Sequence, residues 1–504
     1  MPKFASRSLV WAAMMVLLAV ATGEMAQASG QNAAGPTNKS QVKKTTKKRK
    51  KTRVASPLTI VLSAPQNVAP APQPTVASAA PLVGDVGVPT APVVTRGTVS
   101  ASRSGGVRIL PTGRPGGEAQ VNASSLVISE FRVRGPNGAN DEFIEIMNAT
   151  GADHTVAAGV TDGSGDGYAV VASDGTTRCV IPNGTVIPNK GHYLCVNSIG
   201  YSLASYPAGN GTTATGDATY TTDIADNAGI ALFNNSVGGA NFSLANRFDA
   251  VGSTSEANTL YKEGTGYAAL TPFSIDYAFY RDNCGKAGSI PTFGVCPAGG
   301  LVQDSNNNAA DFIFVDTNGT SAGAGQRLGA PGPENLSSPI ERNASFAVNL
   351  LDVCVAPASP PNRVRDFTSD PANNSTFGTL DIRRTIVNNT GGNVTRLRFR
   401  VTDITTFPAP SGIADLRPRT STSVVVTVDR PPCGSGTSNV TVQGTTLEQP
   451  PSQPNGGGFN SSMSAGTVTL ATPIPNGGSV DVRFLLGIQQ TGSFKFFLNV
   501  EALP

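Results

Sequence analysis

The sequence predicts an all-β protein carried behind an exported, unfolded N-terminal arm. Three observations lead there. From Val121 to the C-terminus, short β-branched and aromatic runs alternate with Gly, Asn, Pro and Asp clusters, the pattern of short strands and turns in a sandwich or barrel. No 11-residue window in that region holds a 3.6-residue period. Charged residues make up only 14% of the chain, with 56 Gly and 37 Pro among 504 residues. That is unlike a charged helical protein, yet below the roughly 25–30% Pro plus Gly of low-complexity chains.

The arm comes first. Lys3 and Arg7 precede an apolar run from Leu9 to Ala21, and Ala26-Gln27-Ala28 supplies a small-x-small cleavage pattern, so residues 1–28 read as a secretory signal peptide. An uncleaved anchor is the alternative, but Gly23 and Glu24 interrupt the run well short of the about 20 residues a span needs. Residues 29–55 form a basic, disordered arm: Lys39, Lys43, Lys44, Lys47, Lys48, Arg49, Lys50, Lys51 and Arg53 crowd into one stretch that repels itself and buries nothing. On an exported chain, Lys43 to Arg53 are expected to meet an anionic envelope, polysaccharide or other polyanion through salt-dependent contacts. A solubilising tail with no partner is the other reading. Residues 56–121 continue as a Pro/Ala/Val-rich linker, an extended spacer. The net charge of +3 is thus a sum over unlike parts. Eleven of the 37 basic residues but one of the 34 acids lie at or before Arg53, which leaves the remainder with seven more acids than bases.

The folded part divides at the Pro/Gly segment Leu328 to Pro339, giving units 122–339 and 340–504. In the first, strands are expected at Leu126–Val133, Glu142–Asn148, Tyr168–Ala172, Thr177–Ile181, His192–Asn197, Gly229–Asn234 and Asp311–Asp316. In the second they are expected from Phe346 and at Thr379–Val387, Asn393–Ile404, Ser423–Asp429, Thr467–Ala471, Ser479–Ile488 and Ser493–Ala502. Asn388 to Gly392 reads as the turn of a hairpin. Leu397, Phe399 and Val401 alternate with Arg396, Arg398 and Arg400, one face core and the other wet.

The first unit carries a family resemblance. LVISEFRVRGPNGANDEFIEIMNAT (Leu126 to Thr150), CVIPNGTVIPNKGHYLCVNSIGY (Cys179 to Tyr201), DIADNAGIALFNNS (Asp223 to Ser236) and DSNNNAADFIFV (Asp304 to Val315) follow one another in the order of secreted bacterial lamin-tail domains, which they resemble. The resemblance implies an immunoglobulin-like β-sandwich for about 210 residues. The Gly/Thr-rich stretches Gly209–Thr219 and Ala287–Gly300 depart from it. The second unit looks like a generic immunoglobulin-like or adhesion-type sandwich, with no motif that names a family.

Chemistry-bearing residues are few. The chain has two histidines, His154 and His192, and one tryptophan, Trp11, so the usual general bases and imidazole ligands are scarce. Walker loops and a G-x-G-x-x-G after a strand are missing, and Gly319 to Gly323 matches G-x-S-x-G without a helix to follow it. Six cysteines on an exported chain favour disulfides, with sequential pairing expected as Cys179–Cys195, Cys284–Cys296 and Cys354–Cys433. A zinc reading has little support, because C-x-x-C is missing and neither histidine lies in a ligand-like cluster along the sequence. Asp304, Asn306, Asn308 and Asp311 have the spacing of a calcium loop, but Ala309 and Val315 stand where Gly and Glu belong; an Asx turn is the plainer reading. Glu130, Asp141, Glu142 and Glu145 read as surface or rim charges, and both histidines as turn-side imidazoles. Arg383, Arg384, Arg396, Arg398 and Arg400 read as a solvated basic stripe paired with Asp381 and Asp403. The expectation is a secreted or surface-attached, non-enzymatic binding, adhesion or structural protein with no required cofactor, its partner an envelope or extracellular macromolecule, either another protein or an anionic polymer. An accessory part of an extracellular nuclease- or phosphatase-type hydrolase, or a cryptic one, is the alternative.

Overall fold

The structure, a computed structural model, describes residues 125–163, 165–270, 275–282, 302–319, 327–429, 433–434, 436–448 and 453–504, which lie in one compact unit. The signal peptide, Lys43 to Arg53, the linker, Cys284, Cys296 and most of Gly319 to Gly323 lie outside the described residues. No helix among those described is long and apolar enough to cross a membrane.

The chain is all-β. Its first half supplies β1 (Leu126–Arg132), β2 (Phe143–Asn148), β3 (His154–Thr155), β4 (Gly167–Ala172), β5 (Thr177–Pro182) and β6 (Val186–Ile187). β7 (His192–Asn197), β8 (Ala218–Tyr220), β9 (Ile230–Phe233), β10 (Arg247–Val251), β11 (Tyr277–Arg281) and β12 (Phe312–Asp316) follow. A six-stranded sheet in the order β12-β11-β1-β2-β7-β8 faces a four-stranded sheet in the order β10-β9-β4-β5. Ile128, Phe131, Ile144 and Ile146 of the first meet Val170, Ile181, Leu232 and Val251 of the second in one apolar core. Turn chemistry fits the sequence: Gly138 and Gly184, each closing a Pro-Asn-Gly triplet of this half, take φ of 95° and 84°, which glycine adopts without a Cβ penalty. β3, β8, β10 and β11, all short, are not among the expected strands.

The second half supplies β13 (Ile340–Glu341), β14 (Phe346–Leu350), β15 (Arg363–Asp366), β16 (Thr379–Asn388), β17 (Arg396–Ile404) and β18 (Asp415–Arg419). β19 (Val424–Val428), β20 (Ser438–Val442), β21 (Thr446–Leu447), β22 (Ser462–Ser464), β23 (Ser479–Gln490) and β24 (Phe496–Leu503) complete it. Two five-stranded sheets result, β13-β24-β17-β22-β21 and β14-β16-β23-β18, with β15 also on β16 and β19-β20 a separate pair. Leu397, Phe399, Val401, Phe496, Leu498 and Val500 point into their common core as the alternation requires, and Phe399 meets Phe484 edge-on at 4.9 Å.

Two expectations fail here. β16 and β17 belong to different sheets, so Asn388 to Gly392 is an arch between sheets and not a hairpin turn. Thr467 to Ala471 contains turns and bends, and the strand of that region is Ser462–Ser464.

The arch occurs twice. At the end of β2, Asn148 Nδ2 donates to the carbonyls of Ala152 and Ile187 while its Oδ1 accepts from Thr150 N and Oγ1. At the end of β16, Asn388 Nδ2 donates to Gly392 and Ile474 and its Oδ1 accepts from Thr390 N and Oγ1. Backbone bonds match as well: Asn148 N donates to Gly191 O and Lys190 N to Asn148 O, as Asn388 N does to Gly478 O and Gly477 N to Asn388 O. Each hub joins an N-x-T-G segment to an I-P-N-x-G segment, so both halves use one construction to turn the chain between sheets.

The halves also share a face. β1, β2, β7, β11 and β12 are buried along their whole lengths, which requires cover on both sides of the sheet. Tyr280, Ile313 and Val315, on the outer face of the six-stranded sheet, pack into the apolar cluster of the second half. The connecting segment Arg327 to Asn335 is itself buried, a packed layer and not an exposed linker.

Candidate functional site

Where the six-stranded sheet meets β17 and β24, side chains expected at the surface form a closed polar circuit. A β-bulge between Ile128 and Glu130 keeps Phe131 in the core and sets Glu130 opposite Glu145, both on the outer face. His192 enters on β7, opposite Met147. The connecting segment adds backbone donors: Gly332 N to Glu130 Oε1 at 2.9 Å and Glu334 N to Glu145 Oε2 at 2.7 Å. Ser129 Oγ donates to Glu145 Oε1 at 2.5 Å. From the second half, Glu501 accepts from Arg398 Nε and from Arg400 Nε at 2.6 Å each. Arg398 also bonds Glu334, and Arg400 Nη1 donates to Asn460 Oδ1, whose Nδ2 donates to Glu130 Oε2. Glu448 pairs with Arg396 and lies 3.6 Å from Arg398.

This arrangement corrects the surface readings. Arg398 is fully buried and Arg400 is 9% exposed, while Glu130 and Glu145 are each 3% exposed and His192 7%. Asp141 and Glu142 are buried too: Asp141 pairs with Arg132, and Glu142 accepts from Asn197 Nδ2 and Ile224 N. The arginines form no single stripe, because Arg383 and Arg384 lie on β16 in the other sheet, where Arg383 pairs with Asp381 at 2.7 Å. Asp403 pairs with Lys495. The expected alternation of faces is right; what covers the outer face is a second sandwich and not water.

Burial governs the electrostatics. It pushes Glu130 up to about 7 against the pull of Arg400. It raises Glu145 well above the usual carboxylate range, and the charges of Glu130 and Glu334 add to that. For Glu501, burial acts upward but Arg400 and Arg398 outweigh it and hold the carboxyl below its ordinary value. Burial lowers His192, keeping the imidazole neutral near pH 7. A cavity of about 80 Å³ lies among Glu130, Glu145, His192, Glu334, Arg400 and Glu501. That admits an ion and a few waters, against the roughly 300–1,000 Å³ of an organic ligand site. Glu145, His192 and Glu334 each bring one ligand-type atom to within 4.8 Å of the other two. The histidine that the linear sequence leaves isolated therefore does sit in a ligand-like cluster, assembled from β2, β7 and the connecting segment.

The calcium-type set does not converge. Asp311 accepts from Ser305 N and Oγ and from Asn307 N, as a turn cap does. Asn308 Oδ1 accepts from Gly252 N and Glu263 N, and Asn306 takes a left-handed φ of 56°. Asp304 instead approaches Asp249 and Glu263, a group whose charge Arg281 and Arg247 partly offset. Burial, with Asp249 and Asp304, pushes Glu263 up to about 9.

Cys179 and Cys195 are bridged with Cα atoms 6.3 Å apart, and Cys354 and Cys433 at 5.6 Å. The first bridge ties β5 to β7, and so one sheet to the other. His154, half-buried, places Nε2 3.1 Å from the Tyr168 hydroxyl. Compared with protein-family models, curated proteins and solved structures, the chain matches none.

Proposed function

We propose that the protein is an exported, non-enzymatic binding or structural protein: a two-sandwich body attached to a basic tether that adheres to anionic envelope or extracellular material. The observation that carries this reading is the use of the junction's ionisable residues. Glu130, Glu145, Glu334, Arg398, Arg400 and Glu501 are buried and linked across the junction by hydrogen bonds, directly or through Asn460 and the backbone of the connecting segment, and so occupied in joining two sandwiches. The ISEF and EFIEIMN blocks support a lamin-tail-like first sandwich, and the shared Asn arch supports a second of related, immunoglobulin-like build. On this reading the outward loops and the exposed hairpin β19-β20, where Val425 is 69% exposed, offer binding surface, and Lys43 to Arg53 supply charge.

Two measurements test it. Binding of the purified protein to a soluble polyanion should weaken with salt, since neutralised charges release counterions, and should be lost on deleting residues 39–53; unchanged binding would leave the arm a spacer. A broad screen for extracellular hydrolase activity should find none. The Glu130–Glu145 pair, with one carboxyl near 7 beside a cavity, is the specific feature favouring a cryptic hydrolase. Activity that disappears in Glu145→Gln would establish that alternative.

A further inference from the structure

We propose that Glu145, His192 and Glu334 bind one divalent transition-metal ion of the zinc type, which fastens the connecting segment to the first sandwich beneath the second.

Two independent observations meet at this point. The ligand-type atoms are already gathered: one from each residue lies within 4.8 Å of the others. A tetrahedral zinc with bonds of about 2.0–2.1 Å places its ligands roughly 3.4 Å apart, so side-chain adjustments of about 1 Å close the site. His192 is 7% exposed, lines the cavity, and its Nδ1 has no hydrogen-bond partner. That nitrogen stands 3.3 Å from Glu334 Oε2 without hydrogen-bond geometry. A buried imidazole nitrogen left without a hydrogen bond beside a carboxylate oxygen is costly by itself and is an arrangement a metal ion satisfies, while the ring's other nitrogen lies 3.7 Å from Glu145 Oε1.

The donor set selects the metal. Imidazole suits zinc and its transition-metal neighbours, whereas calcium and magnesium take oxygen ligands and larger coordination numbers. Three protein ligands leave a fourth position that faces the cavity, where a water fits. Glu334 is the pivot, because its other oxygen bonds Arg398; the ion on one side and the guanidinium on the other hold the connecting segment between the sandwiches.

The test is equilibrium dialysis of the purified, disulfide-intact protein, stripped with chelator, against Zn²⁺, with metal counted by mass spectrometry. The expected result is one zinc per chain with a dissociation constant in the micromolar range or tighter. His192→Gln and Glu334→Gln should each weaken binding at least tenfold, and His154→Gln, at the other histidine, should leave it unchanged. Zinc should also raise the thermal midpoint of the parent but not of His192→Gln; a purely structural role for His192 would lower both midpoints equally with or without metal. Should His192→Gln not fold, Co²⁺ in the unsubstituted protein gives the answer: intense visible bands of a tetrahedral site are expected, and the weak absorption of hydrated cobalt would overturn the proposal. Sub-stoichiometric zinc in the parent, or full zinc binding by His192→Gln, would overturn it equally.

Discussion

Arg398→Met is the sharpest test of how the sandwiches are joined. Arg398 is fully buried, and its guanidinium serves Glu501 through Nε at 2.6 Å, Glu334 through Nη2, the Pro207 carbonyl through Nη1 at 3.2 Å, and Glu448 at 3.6 Å. Methionine fills most of the volume but carries no charge, so three carboxylates lose a shared counterion in a place water does not reach. Breaking a buried ion pair from one side costs about 3–5 kcal/mol. A cooperative unit of about 380 residues unfolds with an entropy of roughly 0.8 kcal/mol per kelvin, so that cost lowers the thermal midpoint by about 4–6 °C. The assay is urea and thermal unfolding at pH 7 by circular dichroism and tyrosine fluorescence, with chelator present and disulfides intact. The penalty should shrink as pH falls toward 4.5, because the stranded carboxylates take up protons. A loss under about 1 kcal/mol at pH 7, or a penalty that does not change with pH, would refute the view that this arginine compensates the buried acids.

Other outcomes follow from the same structure. Without metal, stability should fall as pH rises from 5 to 9: burial raises Glu130 to about 7 and Glu142 to about 8, so their contribution is full below the unfolded value of about 4.5 and lost as pH passes their folded values. Glu130 alone accounts for roughly 3 kcal/mol at about 1.4 kcal/mol per unit, and a pH-independent thermal midpoint would contradict the buried-acid account. Replacing Cys354 and Cys433 by alanine should cost about 4.5 kcal/mol and replacing Cys179 and Cys195 about 3, as expected for loops of 79 and 16 residues in the chain-entropy model; denaturant titration of the two variants checks the order. Asn148→Ala and Asn388→Ala should each cost about 1–3 kcal/mol, because each strands one buried carbonyl, that of Ile187 or of Ile474, and removes the cap of the arch. Since the hubs match, a large cost at one and none at the other would refute their equivalence.

Most strands could be read from the sequence, because period-2 alternation and Asn-Gly turns are local. Leu397, Phe399 and Val401 face the core as their spacing requires, and His192–Asn197 has the expected limits. Alternation sorts side chains into two faces but says nothing of what covers the second one, so Glu130, Glu145, His192, Arg398 and Arg400 were placed in water. One signal for their burial lies in the chain: β1 and β2 carry Val127, Phe143 and Met147 on the same outer face as the acids, too apolar for a solvated surface. The repeated arch was also present, as N-A-T-G with I-P-N-K-G and N-N-T-G with I-P-N-G-G. Separations of 39 and 86 residues between the bonded partners hid the correspondence, since the intervening strands differ in number and length. Glu334 had no local signal at all; a Pro/Gly segment reads as a boundary whether it hangs free or lies packed.

The junction sets two interactions of different character side by side. Tyr280, Ile313 and Val315 give the apolar contact between sandwiches, which is favourable but non-directional. A slip of one residue along a strand, about 3.3 Å, would leave much of that contact in place. The polar circuit would not survive it. Glu501 accepts from two arginines at 2.6 Å, Asn460 connects Arg400 to Glu130, and Glu334 meets Arg398, so a single register satisfies them together. Buried ion pairs add little stability over well-packed apolar residues. What the network contributes to this fold is therefore orientation, because its hydrogen bonds are satisfied together in one register only.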